Sequence, residues 1–159
     1  MLTRRSIGVV KWTYMLAMLT AIFSGFGNMP LYGRYYVADI PGFAWTRNFF
    51  VNLNIHYLSG AVLLGLAAYL TIVYLQRGNN AVRLSASGVV RVVLLGLALI
   101  SGVLAALKNL PTVNLPMAGL MAVAFIHLGA VMGALLLSLA CWLLKKPWVV
   151  VVSRRCSRR

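Results

Sequence analysis

The sequence predicts an all-α integral membrane bundle of four helices, and three observations carry that expectation. Of the 159 residues, 62% are apolar, and the mean hydropathy of +0.89 is too high for a soluble domain of this length. The apolar residues gather in four runs, about 10–27, 46–76, 87–107 and 116–144. Each approaches or exceeds the ~20 residues that a helix needs to cross about 30 Å of hydrocarbon. The charge is lopsided, with 15 Lys and Arg against one acidic residue, Asp39. Twelve of the basic residues (Arg4, Arg5, Lys11, Arg77, Arg83, Arg91, Lys145, Lys146, Arg154, Arg155, Arg158 and Arg159) flank the runs on one side, leaving Arg34, Arg47 and Lys108 on the other. The positive-inside rule then places both termini in the cytoplasm. The expected organisation is a four-span membrane domain over 1–144 and a basic cytoplasmic tail over 145–159.

The first run follows a basic flank, MLTRRSIGVVKW, that has the look of an export signal. No small-residue cleavage site follows it, so a retained helix is expected, ending at SGFGNMP where Gly25, Gly27, Asn28 and Pro30 break the pattern. The outer loop carries Tyr32, Tyr35, Tyr36, Phe43 and Trp45. Such aromatics form an interfacial belt or, in a loop this long, fold back as a quinone-facing or partner-facing surface. Asp39 stands before Ile40, Pro41 and Gly42, as a turn carboxylate or as the one carboxylate available for proton transfer.

The second run is the helix on which the reading turns, because it holds one of the two histidines, His56. The inner loop QRGNNAVRLSASG reads as a polar connection. The third run reads as packing, with Gly96, Ser101 and Gly102 allowing close approach and Arg91 snorkelling to the cytoplasmic edge. The segment KNLPTVNLP returns the chain to the fourth run, which holds His127 and Cys141. Cys156 lies in the tail, and without a CxxC pair neither a zinc site nor a covalently attached c-type heme is signalled.

An ionisable side chain inside a span is costly, so an intramembrane histidine calls for a function and a partner. His56 lies 20 residues before Gln76 and His127 lies 18 before Lys145. At 1.5 Å per residue both stand about 30 and 27 Å from the inner boundary, in one layer near the outer edge. Two neutral imidazoles on parallel helices at one depth suit the axial positions of a b-type heme. Ser59 and Gly60 beside His56, and Ala124, Ala130 and Ala134 on the His127 face, leave room for a flat cofactor. Arg47, Asn52, Asn54 and Lys108 form a polar rim for its propionates. The competing expectation makes His56 an interfacial residue and His127 a helix-to-helix hydrogen-bond donor.

These residues resemble the cytochrome b subunits of membrane-bound formate dehydrogenases and nickel-iron hydrogenases over residues 9–144. The resemblance rests on His56 near the outer end of the second span with Gly60 four residues on, on His127 in the fourth span, and on the first-span segment KWTYMLAMLTAIFSGFGNMP. It implies an electron-transfer subunit rather than a catalyst by itself. That subunit would work between an outer-face redox partner, an iron-sulfur protein or multiheme cytochrome, and the quinone pool of the bacterial inner membrane. In the family's diheme pattern a second, inner heme is held where this chain has Tyr14 and Cys141, so the expectation here is one heme, on the outer side.

The other class compatible with the sequence is a heme-free structural or assembly subunit anchoring a larger complex. A small transporter is disfavoured, since no broken span or intramembrane acid supplies a coupling-ion site. The basic tail is expected to hold the lipid surface, at about 1 kcal/mol per basic side chain, rather than nucleic acid.

Overall fold

The computed structural model describes residues 4–29, 37–76 and 82–151. Four helices account for most of them: α1 (Arg4–Gly27), α2 (Phe49–Gln76), α3 (Ala86–Leu107) and α4 (Met117–Leu143). Two three-residue strands, β1 (Val82–Leu84) and β2 (Val149–Val151), pair antiparallel. Segments of 21, 28, 22 and 27 residues within these helices are long and apolar enough to cross a membrane, so the multi-pass character expected from the four runs holds. Tyr32, Arg34, Tyr35 and Tyr36 of the outer loop, the Gly78-Asn79-Asn80 turn, and the basic end from residue 152 onward lie outside the described residues.

The distribution of side chains is the reverse of a soluble core. Buried positions are small or polar: Ala17, Ala98, Ala130, Ala134 and Cys141 on one hand, Ser24, Thr46, Asn52, Ser59, Arg91 and Ser101 on the other. Large apolar side chains such as Leu16, Phe50, Leu75, Ile100, Phe125 and Trp142 are exposed. In lipid, Leu gains nothing by leaving hydrocarbon. Helices therefore associate through small residues that admit close backbone approach and through interhelical hydrogen bonds. The exposed apolar surface is the lipid-contacting one.

The chain divides into two compact units, Met1–Leu70 and Thr71–Arg159, with the boundary inside α2. In the first unit α1 ends as Gly27 gives way to Asn28, whose N–H still reaches Ser24 O at 3.0 Å. Two 3₁₀ turns, Val37–Asp39 and Ala44–Arg47, follow. Phe43 and Trp45 pack their rings against Phe23 of α1, with centroids 5.6 and 6.1 Å away. This part of the aromatic loop thus folds back on the first helix. α2 starts where Asn48 caps it, its Oδ1 accepting from Phe50 N at 3.1 Å and Val51 N at 3.2 Å, as an N-cap side chain does for otherwise unpaired amides.

The second unit is an antiparallel hairpin of α3 and α4 closed at one end by the strand pair. Ser85 caps α3, its Oγ accepting from Gly88 N at 3.0 Å and donating to Pro147 O at 2.8 Å. Ser85 N donates to Trp148 O at 3.0 Å. At the other end of the clasp α4 stops in a Schellman turn: Lys146 N donates to Cys141 O at 2.8 Å and Lys145 N to Trp142 O at 3.1 Å. Lys145 takes the left-handed conformation, φ 51°, that this motif usually gives to glycine.

Four expectations change here. The segment 82–84 is a strand rather than mere connection, and 145–151 is an ordered clasp rather than the start of a tail. Arg91 does not snorkel. It is 3% exposed, donates from Nη2 to Lys146 O at 3.2 Å and sits 4.7 Å from the ring centroid of Trp148. The chain that follows α4 covers it before it can reach water. Gly96 serves no close approach, since a Cβ there would meet no atom within 4 Å.

Candidate functional site

Each unit contains one histidine, and each histidine is held in the same way by the helix beside it. In the first unit His56 of α2 turns its Nδ1 to α1, 3.1 Å from Ala21 O and 3.1 Å from Ser24 Oγ. In the second, His127 of α4 turns its Nδ1 to α3, 2.9 Å from Ala98 O and 3.2 Å from Ser101 Oγ. Both rings are partly buried.

The partners fix the tautomer. A carbonyl oxygen only accepts, so a ring nitrogen 2.9 to 3.1 Å from one carries the proton. The serine hydroxyls have already placed their own protons on the preceding helical turn, Ser24 on Thr20 O and Ser101 on Leu97 O, each at 2.6 Å. Facing the rings, they too accept. Both histidines are therefore assigned Nδ1–H, which puts the neutral imidazole's lone pair on Nε2. A histidine that ligates a metal through one nitrogen is commonly oriented in this manner through the other.

A glycine completes each clamp. A Cβ on Gly25 would lie 3.2 Å from His56 Cε1, and one on Gly102 would lie 3.1 Å from His127 Cε1. The two clamps share a sequence pattern as well as a geometry. Ala21-Ile22-Phe23-Ser24-Gly25 on α1 matches Ala98-Leu99-Ile100-Ser101-Gly102 on α3, and the dipeptides Ile55-His56 and Ile126-His127 follow on the next helix. Each is followed within six residues by Gly-Ala-Val. The likeness is local: Gly-Ala-Val begins four residues after His56 and two after His127. Reading the histidines alone missed Ala21, Ser24, Gly25, Ala98, Ser101 and Gly102.

The remaining predicted residues fall into place singly. Gly60 has open space around it, an added Cβ meeting nothing within 4 Å. Ser59 is buried with its hydroxyl donated to His56 O at 2.9 Å. Arg47 pairs with Asp39 through Nη2 and Oδ1, which gives that carboxylate a partner on its own loop. Lys108 is exposed at the C-cap of α3, two turns beyond Ser101, its backbone N–H on Leu104 O at 3.1 Å. Asn52 departs from the expected rim role. It is fully buried, and its Nδ2 donates to Ser24 O at 3.1 Å and Asn28 Oδ1 at 3.2 Å. Its donors are spent inside the first unit and none is left for a propionate. Ala130 and Ala134, expected to clear space, are 5% and 2% exposed and belong to the buried stripe of α4 that ends at Cys141. Ala124 is exposed.

Among the described residues no group of three or more His, Cys, Asp or Glu side chains comes together. Compared with known proteins, the chain matches no family model, no curated protein and no solved structure.

Proposed function

We propose that the chain is a b-type cytochrome subunit of a bacterial inner-membrane complex, with His56 and His127 as the two axial ligands of one heme. Electrons pass between an outer-face redox partner, an iron-sulfur protein or multiheme cytochrome, and the quinone pool. What supports the reading is the matched hydrogen bonding of the two rings, each donating Nδ1–H to a main-chain carbonyl. A ligand imidazole needs its Nε2 lone pair and a fixed ring plane, and that donation supplies both. The donor set fits the group, since His56 and His127 would supply the two imidazoles that a b-type heme takes from a protein.

Bound heme supplies a one-electron Fe(III)/Fe(II) couple. The chain's part is to hold the ligands, exclude water with its apolar helices and fix the sign of charge at the rim. Arg47 and Lys108 are proposed as propionate partners. Arg47 would exchange Asp39 for a propionate at little cost, because an ion pair whose side chains are 72% and 50% exposed is worth at most about 1 kcal/mol. Gly60 is proposed as the small residue that keeps the approach to His56 open. Tyr14 and Cys141 stand where a second heme would need histidines, hence the single heme. The charge asymmetry of the sequence supports cytoplasmic termini. Chemistry on any substrate is left to another subunit.

The test is spectroscopic. Purified protein is expected to show a reduced-minus-oxidised b-type spectrum with about one heme per chain, abolished in His56→Ala and in His127→Ala. Retained colour in either variant sinks the ligand pair.

One observation favours a second reading, a heme-free structural or assembly subunit. The same Nδ1 hydrogen bonds tie α2 to α1 and α4 to α3, and interhelical hydrogen bonds of this kind contribute to packing in membranes by about 0.6 kcal/mol each. A colourless protein that stays folded and co-purifies with larger subunits would select this reading.

A further inference from the structure

Two features of the clamps go beyond holding a ring. The first is redundancy. Each Nδ1–H has two acceptors, a carbonyl that the backbone provides regardless of sequence and a serine hydroxyl that it does not. The second is the state of the hydroxyl. With its proton already on the i−4 carbonyl at 2.6 Å in both helices, the serine oxygen presents only lone pairs to the ring. Donating that proton also makes the oxygen a better acceptor, because hydrogen bonds in a chain polarise one another. One acceptor would suffice to orient the ring. The second one acts on its electrons: pulling the Nδ1 proton outward raises the basicity of Nε2.

We infer that Ser24 and Ser101 are positioning residues that set the reduction potential of the heme, each through its own histidine, an inference that rests on the heme reading above. A more basic Nε2 stabilises Fe(III) over Fe(II), so both serines lower the potential. A bound heme would supply the one-electron couple, and the Nδ1 proton would stay in its hydrogen bond in both states. Because the two clamps have the same geometry, the two contributions have the same sign and similar size. The serines bond different histidines, so the two contributions act in the same direction on the shared heme.

The experiment is a redox titration of the full chain, with low-spin ferric EPR as a second readout, on Ser24→Ala, Ser101→Ala, the double variant and the two Ser→Thr variants. Each alanine variant is expected to keep its heme, held by the remaining carbonyl, and to shift the reduction equilibrium several-fold toward the ferrous form. The double variant should shift further than either single one, and threonine should restore the original equilibrium and EPR signal. Alanine variants that bind heme at the unaltered potential overturn the inference. So do threonine variants shifted as far as alanine, which would mark the serines as packing alone. If an alanine variant fails to retain heme, Ser→Cys at that position reads the same effect, since a thiol is a weaker acceptor of similar size; an unshifted potential there is equally fatal. A native chain without heme overturns the heme reading itself, and it does so before any serine is changed.

Discussion

Gly102 makes the room that His127 occupies: a Cβ at that position would lie 3.1 Å from the ring's Cε1, inside ordinary contact distance. The same helix provides a control in Gly96, where a Cβ would meet nothing within 4 Å. Gly102→Ala is expected to push the ring off its carbonyl by a few tenths of an ångström. The cost should be about 1 kcal/mol, at the scale of a weakened buried hydrogen bond. Gly96→Ala should stabilise α3 by up to about 1 kcal/mol through helix propensity. Detergent-unfolding titrations of the two variants should therefore move in opposite directions, and heme content should fall only in Gly102→Ala. Parallel shifts would remove the steric account.

The clasp that closes the second unit depends on Gly88 in a less forgiving way. A Cβ there would stand 2.1 Å from Trp148 O, a backbone atom held in place by Ser85 N at 3.0 Å. Gly88→Ala must therefore break the contact between α3 and the segment after α4, with a loss of about 2 kcal/mol, as overpacking at a rigid neighbour typically costs. Ser85→Ala removes the cap and a link to Pro147 O, and about 1 kcal/mol is expected from the cap alone. Protease accessibility of the chain beyond residue 146 is the direct readout. It should rise in both variants, and more for Gly88→Ala; an unchanged cleavage rate counts against the clasp.

Lys145 offers the opposite case, a residue improved by substitution. Its φ of 51° lies in the left-handed region, where a side chain costs roughly 1 kcal/mol and glycine costs nothing. The Schellman hydrogen bonds to Cys141 O and Trp142 O require only that backbone shape. Lys145→Gly should stabilise the second unit by about 0.5–1 kcal/mol, seen as a higher unfolding midpoint with an unchanged slope. A destabilised variant would show that the lysine side chain contributes more than its backbone costs.

What the sequence made legible, and what it hid, follows from the range of each interaction. The spans were readable because crossing hydrocarbon is a property of one continuous run, and the observed helices begin and end within a few residues of those runs except at α1, which starts at Arg4. The histidines were readable because ionisable groups in lipid are rare. Their clamps were hidden because Ser24 and Ser101 look like any small residue in a membrane helix until the facing helix is known. Arg91 was misread for the same reason: the snorkelling rule considers one helix and water, whereas Trp148, far along the chain, closes over it. The strand Val149–Val151 has no alternating pattern to announce it, and its pairing with Val82–Leu84 is set by the turn that ends α4.

Asn52 gives the sharpest test of the first unit. It is fully buried, its two donors meet acceptors on Ser24 and Asn28, and its Oδ1 has no hydrogen-bond partner among the described residues. It holds the end of α1 against α2 one turn from His56. Asn52→Asp keeps the shape but sets an acceptor against two acceptors, and an ionised carboxylate would be buried as well. The loss expected is about 2–4 kcal/mol at neutral pH, from unsatisfied buried groups and desolvated charge. Asn52→Leu loses the donors without burying a charge and should cost less. Unfolding midpoints of the three proteins decide the matter: if Asn52→Asp is no less stable than Asn52→Leu, position 52 does not face the acceptors on α1.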